Sequence, residues 1–388
     1  MRKAHPYLRV SFRATLTLFI ALVLGAIALL SLGTKPAETK PTTPKPLYIV
    51  RDLGTLGGSN GVAFGINNAD QVVGASGISG DTEEHAFLWA DDGDPNTEDM
   101  IDLGTLGGSP SQAAAINEAG KVVGTSGIDP NLFGHHAFFY EDGQGMRDLG
   151  TLGGDLSDAR DINDTDKVVG TSTISGQSPE HAYLYSERVM RDLGTLGGSH
   201  SQANAINNAD QVVGTSSITG DTESHAYLWT DDGDPNTLDM KDLGTLGGSA
   251  SNAFDINEAG KVVGFSLTTS GSTEPHAYLY SSGQGMTGLG TLPGHISSIA
   301  YAINNDDQVV GTSFLLAEEI DPHPFLYSGG VMRDLNTLIP PNSGWELREA
   351  WDINDNGHIV GRGSNEDGEN RAFLLVQPGK GQGPGLPR

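Results

Sequence analysis

Past residue 47 the chain is a succession of short apolar runs, such as VAFGIN, QVVGAS, HAFLWA and MIDLGTL, separated by Gly, Asn and Asp. Runs of five to seven residues rich in Val, Ile, Leu and aromatics, punctuated in this way, predict strands joined by hairpins. No stretch after residue 34 sustains a helical period. In HAFLW the His85/Phe87/Trp89 face is bulky and the Ala86/Leu88 face is also apolar. Strands apolar on both faces belong to sheets covered on both sides.

Four such runs pass before the pattern restarts. DLGTLGG begins at Asp52, Asp102, Asp148, Asp192 and Asp242, then degrades to GLGTLPG from Gly288 and DLNTLIP from Asp334. The spacings are 50, 46, 44, 50, 46 and 46 residues. Between copies lie a Val-Val-Gly, an Ile-Asn pair with Asn67, Asn117, Asn163, Asn207, Asn257, Asn304 and Asn354, and a His-Ala-aromatic triplet. The triplets start at His85, His136, His181, His225 and His276, and degrade to His323-Pro-Phe and Arg371-Ala-Phe. Seven four-stranded units of roughly 40–50 residues predict an all-β, seven-bladed β-propeller over residues 47–378. The last unit stops after a third strand, Arg371–Val376, while Tyr48–Leu56 reads as a fourth strand with no blade before it. Pairing the two closes the ring and covers two exposed edges. Copies one to three recur 140 residues later, and GDTEEHAFLWADDGDPNTEDM returns as GDTESHAYLWTDDGDPNTLDM, so three blades read as a duplicated block.

The HAFLY-like and DLGTLGG strings, with SGWELREAWDINDNGHIVGRG and RAFLL near the end, resemble the HAF family of probable extracellular repeats. The resemblance spans roughly residues 48–376. It implies an extracytoplasmic location and no particular activity.

The N-terminus supports that address. Arg2, Lys3, Arg9 and Arg13 precede an uncharged stretch from Ala14 to Thr34. A basic start before an apolar run predicts a signal peptide or signal-anchor over residues 1–34, with the rest of the chain exported. If uncleaved, this segment is the only expected contact with a membrane. Residues 35–46, rich in Pro, Thr and Lys, predict an extended tether, and residues 379–388 a flexible tail. Residues 1–46 hold seven Lys/Arg and one Glu, so 15 basic and 48 acidic residues remain, a net −33. Such a surface repels phosphate backbones and excludes nucleic acid as a partner. With no cysteine, disulfides, thiolate metal sites and thiol nucleophiles are excluded.

The candidate chemistry is thin. A His recurring in nearly every unit serves the ring, so each is expected to pair with the Asp opening DLGTL on the next strand rather than bind metal. Arg371 is expected to meet Asp52 likewise, and His276, opposite Gly288, to lack a partner. The DLGTLGG glycines lack a following Gly-Lys-Ser/Thr and read as turns. Calcium is the one cofactor suggested. Asp92, Asp94, Asn96 and Asp99, and equally Asp232, Asp234, Asn236 and Asp239, place oxygen donors at near-alternate positions between third and fourth strands. The loops between second and third strands vary most. They offer Leu132 and Phe133 in blade two and Phe314 and Leu315 in blade six as a ligand-binding surface, joined by Trp345. These features favour an exported, non-catalytic binding module for a surface polysaccharide or protein. The alternatives are a polysaccharide hydrolase or lyase using carboxylates at the central channel, and a plain structural spacer. Nothing in the sequence fixes an oligomeric state.

Overall fold

The computed structural model describes residues 47–378 except 92, 94–98, 131–133, 177, 232, 234–238 and 316–321. The expected signal segment, tether and tail therefore lie outside the described residues. The chain forms seven four-stranded antiparallel sheets. Blade one is Gly57–Ile66, Val72–Ile78, Glu84–Trp89 and Met100–Gly104, and blades two to six repeat that order. Blade seven takes Glu346–Ile353, Ile359–Ser364 and Asn370–Val376 from the end of the chain. Its fourth place is filled by Ile49–Asp52, in register with Phe373–Val376. Among the described residues the only helix is a single 3-10 turn, Leu335–Thr337.

Each first strand touches the first strand of the next blade, and that of blade seven touches that of blade one. The apolar positions fill the spaces between blades, so Ala86, Phe87, Leu88 and Trp89 are all buried and both faces of the strand are covered. The glycine of each Val-Val-Gly has a steric cause. A Cβ on Gly74 would stand 2.0 Å from the Val62 carbonyl oxygen, where the first strand bulges between Ala63 and Gly65. Gly74 pairs with Phe87, whose fully buried ring covers the gap, and the other blades repeat this pairing.

Buried serines tie blades together. Ser111 Oγ donates to the Gly104 carbonyl at 2.7 Å and accepts the Ala86 N–H at 2.9 Å, with counterparts at Ser157, Ser201, Ser251 and Ser298. Blade one has Gly61 instead. A Cβ there would lie 3.6 Å from the Gly54 oxygen and 3.7 Å from the Ala372 nitrogen, so a serine fits. Gly61→Ser is expected to add about 1 kcal/mol, through the new bonds and a stiffer unfolded chain. A raised urea midpoint at unchanged slope checks it, and an unchanged or lower midpoint rejects it.

The turns between first and second strands carry a joint of two kinds. Lys121 pairs with Asp166, Lys167 with Asp210, Lys261 with Asp307 and His358 with Asp70, each across to the next blade. The other three blades place Gln71, Gln211 and Gln308 there, each bonded within its own turn. Opposite those glutamines the next blade has Gly120, Gly260 and Gly357. Only Asp or Gly occupies this position because φ there is 60–76°, which few other residues tolerate.

Candidate functional site

The seven first strands enclose the central channel. At the end carrying the first-to-second-strand turns stand the Ile-Asn asparagines. Each is buried, and its Oδ1 accepts the backbone N–H four residues on and, in blades one to six, also the one two residues on, as Asn67 does from Ala69 and Gln71. Each Nδ2 donates to the carbonyl of the asparagine in the next blade, from Asn67 to Asn117 and onward to Asn354, which donates to Asn67. The seven distances are 3.0–3.3 Å. The following residues, Asn68, Glu118, Asp164, Asn208, Glu258, Asn305 and Asp355, form a second circuit, in which each backbone N–H donates to the next side chain at 2.8–3.2 Å. They rim a cavity of about 370 Å3 floored by Ile66, Ile256, Ile303 and Ile353. Burial, with the charges of Asp164 and Asp355, pushes the Glu118 carboxyl up.

Just inside this rim, blades three, five and seven carry Asp161, Asp255 and Asp352. Each carboxylate accepts the N–H of its own following isoleucine and of the corresponding isoleucine in the next blade, at 2.7–2.9 Å. They lie deep in the molecule yet stay partly open to the channel. Burial raises all three, Asp255 to about 6 and Asp352 to about 7, and the charge of Asp255 adds to the rise at Asp161 and Asp352. The folded state thus keeps protons that the unfolded chain has lost. Their stabilisation is full below about pH 4 and is lost as pH rises through about 6 to 7. The urea midpoint is expected to fall between pH 5 and pH 8, and Asp352→Asn to shrink that fall. A midpoint flat across this range would count against it.

The opposite end carries the blade-to-blade connections and the variable loops. Here Trp345 packs its ring edge-on to Phe373 at 6.2 Å and lines a cleft of about 350 Å3 between blades six and seven. Pro322, Ile339, Pro340 and Pro341 supply its apolar wall, and His323, Asn336 and Glu346 its polar groups. Phe314 pairs with Pro322 at the edge of the same region, and Leu315 beyond it is 40% exposed. Leu132 and Phe133 lie outside the described residues. So do Asp92, Asp94, Asn96, Asp232, Asp234 and Asn236. Of the calcium candidates, Asp99 and Asp239 are described, at the channel end of the asparagines by topology. Asp239 stands 3.6 Å from Arg191, which also pairs with Asp231 at 2.7 Å, and Arg51 holds Asp91 in the same way in blade one. Among the described residues no three acidic or imidazole groups gather at metal-binding distance.

The histidines behave as structural groups. His85, His136, His181, His225 and His323 meet Asp102, Asp148, Asp192, Asp242 and Asp334 at 2.8–2.9 Å. The same aspartates accept the N–H two residues on, as Asp102 does from Gly104, so each pair also shapes a turn. Gly288, paired with Tyr278, stands where the other blades have this aspartate, so His276 has no such carboxylate. Arg371 departs from expectation: its guanidinium bonds Glu369 at 2.6 Å, not Asp52. Glu369 sits in the turn just before the strand, two residues from Arg371, and satisfies it locally. Asp52 keeps its turn bond to Gly54.

No protein-family model matches the chain, and no curated protein is similar to it. Solved structures are. The β-propeller domain of the Trilobed protease from Pyrococcus furiosus aligns with a TM-score of 0.52 at 11% identity, covering 86% of this chain and 94% of that one. The shared feature is the propeller fold. TolB from Acinetobacter baumannii (TM-score 0.42, 13% identity) and a gluconolactonase from Xanthomonas campestris (0.40, 9%) cover 84% and 86% of this chain. The chain spans 65% of TolB and 91% of the gluconolactonase. At these identities the likeness is one of fold alone.

Proposed function

We propose that the chain is an exported, non-catalytic propeller that binds a surface polysaccharide or protein through its loop face. The cleft between blades six and seven is the main contact. The observation that carries this reading is Trp345, half-buried beside prolines and polar groups in a concave site on the face where the loops diverge. An aromatic anchor in such a pocket, rimmed by hydrogen-bonding groups, is how binding surfaces concentrate their energy. The HAF-type triplets and the basic, apolar N-terminus support an extracytoplasmic address, and strand Ile49–Asp52 is assigned the role of closing the ring.

The channel carboxylates give the hydrolase alternative little support. Asp352 has both oxygens bound to backbone N–H groups, Asp355 belongs to the rim circuit, and Glu349 bonds Arg362 at 3.0 Å. The protein, immobilised and probed with surface polysaccharides and surface proteins, is expected to retain one class. Trp345→Ala should weaken retention at least about tenfold, and Leu315→Asp, on the exposed rim, should weaken it too. Equal retention by both variants sinks the assignment of this cleft. Release of shortened polysaccharide would transfer the case to the enzyme, and sensitivity to chelator would bring the Asp loops into the site.

A further inference from the structure

The channel holds a second site that the loop-face reading does not use. Three residues before the ring asparagine, blades five, six, seven and one each carry an aromatic side chain: Phe254, Tyr301, Trp351 and Phe64. These touch in sequence around the channel, with ring centroids 5.6 Å apart from Phe254 to Tyr301, 4.4 Å from Tyr301 to Trp351 and 5.7 Å from Trp351 to Phe64. All four are only partly buried. They form one continuous aromatic wall over four consecutive blades. The Trp351 indole N–H is buried there without an acceptor, an orphan donor within the wall.

The remaining three blades are different. Asn204 in blade four is committed, its amide donating to Asn252 Oδ1 at 2.9 Å and to the Ala253 carbonyl at 2.7 Å. Blade two has Ala114, which leaves room. Blade three has Arg160, which is exposed and makes no hydrogen bond or ion pair among the described residues. An innermost strand gains exposure only from the channel, so the Arg160 side chain stands at the lumen, across from the aromatic wall. The charge of Arg160 reaches the Asp158 carboxylate without forming an ion pair with it. Asp158 is bound by Thr125 at 2.8 Å and lies 3.4 Å from His135, and Asp161 has both oxygens on backbone N–H groups.

We propose that this level of the channel binds a hexuronate residue of an acidic polysaccharide. The pyranose lies against the aromatic wall, and its carboxylate is held by Arg160. Sugar C–H faces stack on aromatic rings, and a guanidinium takes a carboxylate through two parallel N–H bonds. A neutral sugar would meet the wall and leave Arg160 unused. The inference rests on the proposal that the ligand is a polysaccharide, but it concerns a different site from the Trp345 cleft.

The test is calorimetric titration of the whole protein with trigalacturonic acid and with its methyl ester, which keeps the rings and removes the charge. The acid should bind at least about tenfold more tightly than the ester. Arg160→Gln should abolish that preference and leave ester binding unchanged, whereas Tyr301→Leu should weaken both. Circular dichroism confirms that each variant is folded, and Trp345→Ala should not alter the preference. Equal binding of acid and ester, retention of the preference in Arg160→Gln, or no binding of either probe overturns the channel site. Loss of the preference in Trp345→Ala, with Arg160→Gln unaffected, would move the acidic ligand to the loop face. Failure of the cleft variants alone leaves the channel result standing.

Discussion

Deleting residues 47–53 is expected to yield a protein that loses single-step unfolding and self-associates at micromolar concentration. The segment supplies the whole fourth strand of blade seven. Tyr48 is fully buried in the cluster with Leu335, Leu347, Phe373 and Leu375, and its hydroxyl accepts a bond from Gln377 at 3.1 Å. The Leu47 and Tyr48 N–H groups both reach the Leu338 carbonyl, and Leu53 fills the space beside blade one. Without these residues the strand Asn370–Val376 presents an open edge with four buried apolar side chains behind it. Such edges pair with other chains. Tyr48→Ala, which keeps the strand, should cost about 3–5 kcal/mol by cavity formation alone. Denaturant titration and size-exclusion chromatography check both variants. A deletion product that stays monomeric, with an unchanged denaturant slope, would show that the strand is dispensable.

The second large effect is expected at the asparagine circuit. Asn207→Ala removes the acceptor of the Ala209 and Gln211 N–H groups and the donors to the Asn257 carbonyl and Gln211 Oε1. Asn207 is only 3% exposed, so water cannot replace these partners. Leaving several buried polar groups unpaired should cost about 3–5 kcal/mol. The adjacent Asn208 is the control. It bonds Asp164 at 2.8 Å on the open rim, and Asn208→Ala should cost about 1 kcal/mol or less. Chemical denaturation of the pair decides. Similar costs at both positions would mean that the circuit does not hold the blades together.

Much of this architecture was legible because the chain states it seven times. Blade number, strands per blade and the His–Asp pairs follow from spacing. The role of the Ile-Asn pairs does not. Each asparagine binds the backbone carbonyl of another blade, and a carbonyl leaves no mark in a sequence. The aromatic wall was hidden for the opposite reason: Phe64, Phe254, Tyr301 and Trp351 share one repeat position, but Ala114, Arg160 and Asn204 interrupt it, so no periodicity signals a site. Arg371 shows the limit of arguing from a repeat position alone. A substituted side chain can find a nearer partner in the adjoining turn, as it does in Glu369.

The joints between blades bear on the number seven. The duplicated block begins with Asp70 and ends, in its first copy, with Lys167, so its two faces are complementary and a following copy fits through Asp210. The second copy ends with Gln308, which suits a glycine. Closing six blades would bring Gln308 against Asp70, a carboxylate deprived of its imidazole partner. Blade seven resolves the mismatch by offering Gly357 to Gln308 on one side and His358 to Asp70 on the other. It is an adaptor, neutral on its entry side and basic on its exit, whose shape completes a circle that two copies of an ancestral half would leave electrostatically mismatched.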